Sequence, residues 1–166
     1  MTRRSAGSFI ERVFAMARWR TFVTRRPGPG DLVAFHTAQK FAVLAHSPSH
    51  YATLGRLVAA AGGSRLAARL TEYGSSLMDA LSIRATRARH ANVLQHLAGV
   101  FKRRLEVGER AEIADVIHDY RLGLVPLIVR AHPDQASCTS ARRRLSSADQ
   151  VYLSPHPKEL MLRNHV

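Results

Sequence analysis

Apolar residues in this chain recur three and four positions apart, segment after segment, and no strong run alternates at the two-residue period of a half-buried strand. That period confines the fold to packed helices, and proline and glycine mark where each one stops. Ser8-Phe9-Ile10-Glu11 has the form of a capping box, and Phe9, Ile10, Val13, Phe14 and Ala17 carry a helix on to about residue 25. Pro27-Gly28-Pro29-Gly30 breaks it. Asp31 suits the N-cap of a second helix ending at His46, apolar nearly all round through Leu32, Val33, Phe35, Phe41, Val43 and Leu44, which argues burial. Ser47-Pro48 is a cap followed by proline at the first helical position, so a third helix opens there and ends at Gly62-Gly63. A fourth covers 64–81, weakened by Gly74. The fifth, 85–105, has the stripe Leu94, Leu97, Ala98, Phe101 and Leu105. The sixth carries Ile113, Val116, Ile117 and Tyr120 and stops at Gly123, before Pro126. The expected class is all-α: a single-domain helical bundle over 8–166, with a disordered basic N-terminus at 1–7 and an irregular C-terminal segment.

Charge narrows the partners. Twenty-five Lys and Arg stand against 12 Asp and Glu, a formal net charge of +13 over 166 residues. Such a chain repels itself, and a polyanion relieves the repulsion; nucleic acid is the first candidate and an anionic membrane surface the second. The plain alternative is a solvated basic surface. Cys138 is the single cysteine, which excludes a disulfide framework and a thiolate cluster built from this chain alone. Glu11 and Arg12 follow the basic start too soon for a signal-peptide core, and no apolar run reaches the length of a membrane span. The expected location is cytoplasmic, with no membrane partner.

Three stretches carry a family resemblance. One is Leu32-Val33-Ala34-Phe35-His36-Thr37-Ala38-Gln39-Lys40, continuing through Ala45-His46-Ser47-Pro48-Ser49-His50-Tyr51 to Leu57-Val58. Another is Ala85-Thr86-Arg87-Ala88-Arg89-His90-Ala91-Asn92-Val93-Leu94-Gln95-His96-Leu97, followed by Asp119-Tyr120-Arg121-Leu122-Gly123-Leu124-Val125-Pro126. The last is Gln150-Val151-Tyr152-Leu153-Ser154-Pro155-His156-Pro157 with Leu162-Arg163-Asn164-His165. On these residues the chain resembles the YbgA-like family of small, basic, helical bacterial domains. The resemblance implies a setting as well as a fold. Such domains occur alone, or fused behind a cysteine-dependent iron–sulfur desulfidase that removes sulfur from thiouracil or from 4-thiouridine in tRNA. In those fusions the helical part is the one that grips tRNA. Ser8-Phe9-Ile10-Glu11-Arg12-Val13-Phe14 is similar to the junction where the fusions enter the domain. This sequence carries no such catalytic half, and Cys138 alone cannot supply cluster ligands. Desulfidation by this polypeptide alone is therefore not expected, no cofactor is assigned, and a separate iron–sulfur desulfidase becomes a candidate partner.

A helical wheel on the fifth helix puts Arg89, Asn92, His96 and Arg103 opposite Leu94, Phe101 and Leu105, with Gly99 on the same outer face and Arg84 and Lys102 flanking it. Repeated positive charge and amides along one face suit phosphates; an ordinary solvated face has the same composition. Arg87 and His90 fall instead on the apolar stripe, where a charge must be paired or wet. They mark either a pocket for a nucleotide or phosphate, or an ion pair with Asp79 or Asp119. Lys40 and Arg121 complete the candidate nucleic-acid contacts. His36, one turn before Lys40, is grouped with Tyr51, Tyr120 and His156 as a candidate polar pocket, the two tyrosines also being candidate stacking platforms. Histidine pairs here lack the further ligands zinc requires, so no metal is assigned. No catalytic residue is assigned either.

Residues 130–149 do not fit the family pattern, which continues as an amphipathic helix. Read one base later with suitable codons, the stretch from Ala131 gives a family-like helix, so compensating frameshifts compete with a genuine variant loop. The serines and the run at 142–144 offer no apolar stripe, so this segment is expected to be the least ordered. The function expected from the whole is that of a module binding structured RNA, tRNA first, without catalysis of its own. The alternatives are a protein-docking module for a separate enzyme, and an enzyme of unknown reaction using Arg87, His90 and Lys40.

Overall fold

The computed structural model describes residues 3–62, 65–102, 105–125 and 151–153. Six helices follow in order: α1 (Arg3–Thr24), α2 (Pro29–His46), α3 (Pro48–Ala59), α4 (Leu66–Ser82), α5 (Arg87–Phe101) and α6 (Val107–Leu122). A 3-10 turn at Val151–Leu153 completes them, and no strand occurs among the described residues. The fold is all-α. The described residues form two compact units, α1–α4 with the 3-10 turn in the first and α5–α6 in the second. Each unit closes an apolar cluster of its own, and the short link at 83–86 joins them in sequence. The atypical segment 130–149 lies outside the described residues.

Local chemistry sets the helix ends, with two departures from expectation. Helix α1 begins at Arg3 and runs through Ser8, so the Ser8–Glu11 pattern does not mark its start. Asp31 is not the N-cap of α2. Gly28 holds that position, Pro29 follows in the first turn where its missing N–H costs nothing, and the Asp31 carboxylate reaches back to accept the Gly28 N–H at 2.8 Å. Ser47 behaves as expected. It is the one residue between α2 and α3, its N–H donating to the Val43 carbonyl at 2.7 Å and its Oγ accepting the His50 N–H at 3.3 Å. Helix α6 ends at Gly123, whose φ of 87° is the left-handed conformation of a helix C-cap.

In the first unit, Leu32, Val43, Leu54, Tyr73, Leu77 and Ala80 are fully buried, with Trp19, Phe22 and Phe35 packed on the cluster. The rings form a connected set: Trp19 lies 5.2 Å from Tyr73 and 5.3 Å from Phe35, and Phe22 stacks on Phe35 at 4.6 Å. Each such pair contributes about 0.5–1.5 kcal/mol beyond its buried area. Gly74 makes the Trp19 contact possible, because a side chain there would collide with the indole. The glycine that weakens α4 as a helix is thus what lets α1 pack on it. His46, buried at 1% exposure, ties three segments together. Its Nδ1 donates to the Ile83 carbonyl at 2.6 Å, just beyond α4, and its Nε2 lies 3.2 Å from the Glu11 carboxylate on α1.

In the second unit, Ala91, Leu94 and Ala98 of α5 pack with Ile113, Ile117 and Tyr120 of α6. Helix α5 is shorter than the 85–105 expected: Thr86 caps it, accepting the Arg89 N–H at 3.3 Å, and it ends at Phe101. Leu105 is buried but lies in the turn before α6, outside the stripe assigned to it.

The two glycines Gly74 and Gly55 should respond to alanine with opposite signs. Gly74→Ala drives a methyl into Trp19 and should destabilise by roughly 1–3 kcal/mol despite alanine's better helix propensity. Gly55, on α3, has open space around it, so Gly55→Ala should stabilise by up to about 1 kcal/mol. Melting curves of the two variants check both signs.

Candidate nucleic-acid interface

Helix α5 reads Arg-Ala-Arg-His-Ala-Asn-Val-Leu-Gln-His-Leu-Ala-Gly-Val-Phe and contains no carboxylate. Its buried side holds His90, Ala91, Val93 and Leu97, with Leu94 and Ala98 partly buried. The opposite side carries Arg89 and Asn92, half-buried, then His96 and Gly99, both exposed, with Lys102 exposed at the C-cap. Nothing lies within 4 Å of the side-chain position at Gly99, so a partner's backbone has room to approach. The described acidic residues of this unit sit on α6 and at its cap: Glu106, Glu109, Glu112, Asp115 and Asp119. The outer face is therefore cationic along its described length. Arg103 lies outside the described residues.

Arg87 departs from its expected place. The wheel sets it on the apolar stripe, yet its side chain is exposed, because at the first residue of a helix there is no preceding turn to cover it. The guanidinium lies over the Tyr120 ring, 6.0 Å from the centroid, and against Gly123. The ion pair expected as one alternative is not formed: among the described residues Arg87 has no carboxylate partner. Tyr120 is buried at 2% exposure, which removes it as a stacking platform for bases, and among the described residues its hydroxyl has no hydrogen-bond partner. Burial pushes the Tyr120 phenol up from its ordinary range, and the Arg87 charge works against that rise. Arg121 is exposed in the last turn of α6, where a cation complements the helix dipole. Arg84 is exposed on the link between α4 and α5.

The remaining candidates belong to the first unit or lie outside the described residues. Lys40 is half-buried with its Nζ 5.2 Å from the Phe41 ring. His36 is half-buried and its Nδ1 lies 3.1 Å from the hydroxyl of the buried Tyr73. Burial, and then the nearby Lys40 charge, hold the His36 imidazole below its ordinary value, which favours the neutral ring beside the Tyr73 hydroxyl. Tyr51 is half-buried against the core cluster. His156 lies outside the described residues. Sequence reasoning also missed a short contact, Ser47 Oγ to His50 Nδ1 at 2.8 Å. Ser47 is buried and its Oγ caps α3, so this pair is a turn device rather than a presented nucleophile. Among the described residues no three His, Cys, Asp or Glu side chains gather in a way that would hold a metal ion. No described helix is long and apolar enough to cross a membrane.

Fold and site define a small all-helical protein that presents a helix free of carboxylates. The sequence matches the family described as a protein of unknown function, DUF1722, over residues 40–157. It is 31% identical over 122 residues to the uncharacterized protein YbgA of Escherichia coli (strain K12), covering 73% of this chain and 72% of that protein. The chain belongs to this YbgA-like, DUF1722 family. No solved structure matches it.

Two measurements follow from these contacts. Because folding keeps His36 neutral, the unfolded chain binds more protons at this position, and the contribution of His36 to stability is lost as pH falls below about 6.5. His36→Asn should flatten the loss of melting temperature between about pH 7 and 5; an unchanged slope would assign that loss to other groups. Gly123→Ala forces an L side chain into the left-handed region and into the Arg87 guanidinium. It should cost about 1–3 kcal/mol by denaturant titration, with fraying of the end of α6 in hydrogen exchange.

Proposed function

We propose that this protein is a binding module for structured RNA, tRNA first, which holds phosphates along the outer face of α5. It carries no chemistry of its own and serves thionucleoside desulfidation as the recognition partner of a separate iron–sulfur enzyme. The observation that carries the reading is the charge distribution of α5: Arg87, Arg89 and Lys102 with His96 and no Asp or Glu, beside an uncovered Gly99. Phosphate contacts need repeated positive charge at spacings that follow a backbone, and they position a nucleic acid without reading its bases. The tRNA and the desulfidase come from the family resemblance set out above. A cytoplasmic location accords with both.

One observation favours a second reading, docking to a protein. Helix α1 leaves Phe9 and Val13 exposed, at 60% and 49%, one turn apart and next to Arg12. Apolar residues on an exposed helix face suit a protein partner better than a phosphate backbone.

Ionic strength separates the two. The purified protein should retard bulk tRNA in a gel at low salt and release it at high salt, with a steep negative slope of log affinity against log salt. Lys102→Ala should reduce that slope by about one unit and leave the melting temperature nearly unchanged, since its side chain is exposed. Arg89→Ala should reduce the slope similarly and cost some stability, because Arg89 is half-buried. Free migration of tRNA at low salt with folded protein in excess removes the RNA reading.

A further inference from the structure

The end of the second unit where α5 begins and α6 stops holds two polar groups that the fold itself does not use. One is the Tyr120 hydroxyl, buried and, among the described residues, without a hydrogen-bond partner. Leaving a buried hydroxyl unpaired is destabilising, and phenylalanine would fill the same space without that penalty. The other is the Arg87 guanidinium. It has five N–H donors, yet among the described residues it makes no ion pair and donates no hydrogen bond; its contacts are the Tyr120 ring and Gly123. Its position is also unfavourable for a cation, at the first residue of a helix, where the dipole favours negative charge.

The backbone adds donors of the same kind. Thr86 satisfies the Arg89 N–H through its side chain and the His90 N–H through its carbonyl, at 3.3 and 2.9 Å. The N–H groups of Arg87 and Ala88 have no acceptor within the helix, and no acidic side chain stands in the first turn. The Arg87 guanidinium lies over the Tyr120 ring, 6.0 Å from its centroid, so the side chain of the first residue of α5 reaches the phenol at the end of α6. Asp119, half-buried, is the carboxylate next to Tyr120 in sequence, and Arg121 stands on its other side; with Arg87 the balance at this end stays positive.

We propose that the start of α5, with the Arg87 guanidinium and the Tyr120 hydroxyl, is a binding site for a single phosphoryl group. All the groups it offers are donors: a delocalised cation able to grip two oxygens, a phenolic O–H and two backbone N–H groups. That set suits an oxyanion with several acceptor oxygens and no donors of its own. The exposed Arg87 side chain lies over the Tyr120 ring, and in the proposed site it moves aside for the ligand to reach the hydroxyl. The ligand orders a guanidinium that the fold leaves unpaired and gives the orphaned hydroxyl its acceptor. This deepens the RNA reading by naming a discrete anchor beside the diffuse cationic face, and it rests on that reading only in taking RNA as the source of the phosphate. The phosphoryl group is either a link of the backbone or a terminal monophosphate.

Tyr120→Phe is the decisive variant, because a structural role and a binding role predict different things for it. Titration calorimetry with inorganic phosphate at constant ionic strength, against sodium chloride as the blank, should show saturable binding to the full chain. Tyr120→Phe should melt at the same temperature or higher, having lost only an unpaired hydroxyl, and should weaken phosphate binding about tenfold or more. Arg87→Lys keeps the charge but not the fork, and should weaken it comparably. No phosphate binding beyond the chloride blank, or unchanged binding by Tyr120→Phe, overturns the proposal. The tRNA gel shift run beside it keeps the two readings apart. A chain that binds tRNA but not phosphate has the cationic face without this anchor, and the proposal fails. A chain that binds phosphate through Tyr120 but ignores tRNA keeps the anchor and loses the RNA reading. A pair of otherwise identical oligoribonucleotides, one 5′-phosphorylated and one with a 5′-hydroxyl, assigns the source. Preference for the first by tenfold or more identifies a terminal phosphate, and equal binding that still depends on Tyr120 identifies a backbone link.

Discussion

The first unit is organised around a buried imidazole with two acceptors. His46 closes α2, and both of its ring nitrogens are engaged, one by the Ile83 carbonyl beyond α4 and the other by the Glu11 carboxylate on α1. A carbonyl can only accept, so Nδ1 carries a hydrogen, and the ring orientation is fixed by that bond. One side chain thus locates the ends of α2 and α4 against the middle of α1. The apolar cluster supplies the driving force for packing; His46 supplies the register at which α1, α2 and α4 meet.

Much of the fold was legible in the sequence, because helix periodicity and its punctuation are local signals. Six helices appear in the expected order, and Ser47-Pro48 and Gly123 stop and start them as their chemistry requires. Local signals also explain the errors. Asp31 looked like an N-cap because a capping carboxylate at the third helical position has the same composition, and the proline decided which residue was which. Gly74 read as a weak point of α4 because propensity does not know that an indole from α1 lies on it. The division into two units was not legible, since nothing in the pattern says which apolar faces close on each other.

The candidate site was half legible. Position on a wheel placed His96 and Gly99 on the outer side of α5 and His90 on its buried side, as found, whereas Arg89 and Asn92 of the same outer face are half-buried. It misplaced Arg87, because a wheel treats every turn alike and the first turn has no neighbour to cover it. Within the stripe it named, Leu97 is more deeply buried than Leu94, and it left out Val93, which is fully buried. Tyr120 fell on the apolar spacing of the sixth helix and was also a candidate stacking platform; it is a core residue, and no sequence signal separates a tyrosine whose hydroxyl finds a partner from one whose hydroxyl does not. Its unpaired oxygen became visible only when the surrounding atoms could be counted.

The junction of α2 and α3 has a consequence for how this family can change in length. Ser47 ends one helix with its N–H and begins the next with its Oγ and carbonyl, which accepts the Tyr51 N–H at 3.0 Å. No spare residue separates the two functions. Inserting or deleting one residue there would uncap both helices and turn α3 by about 100° about its axis, carrying Leu54, Leu57 and Val58 away from the core. Insertions and deletions should therefore be purged at this hinge and accumulate in other connections, so that the spacing between His46 and Leu54 stays constant while the lengths of other loops drift.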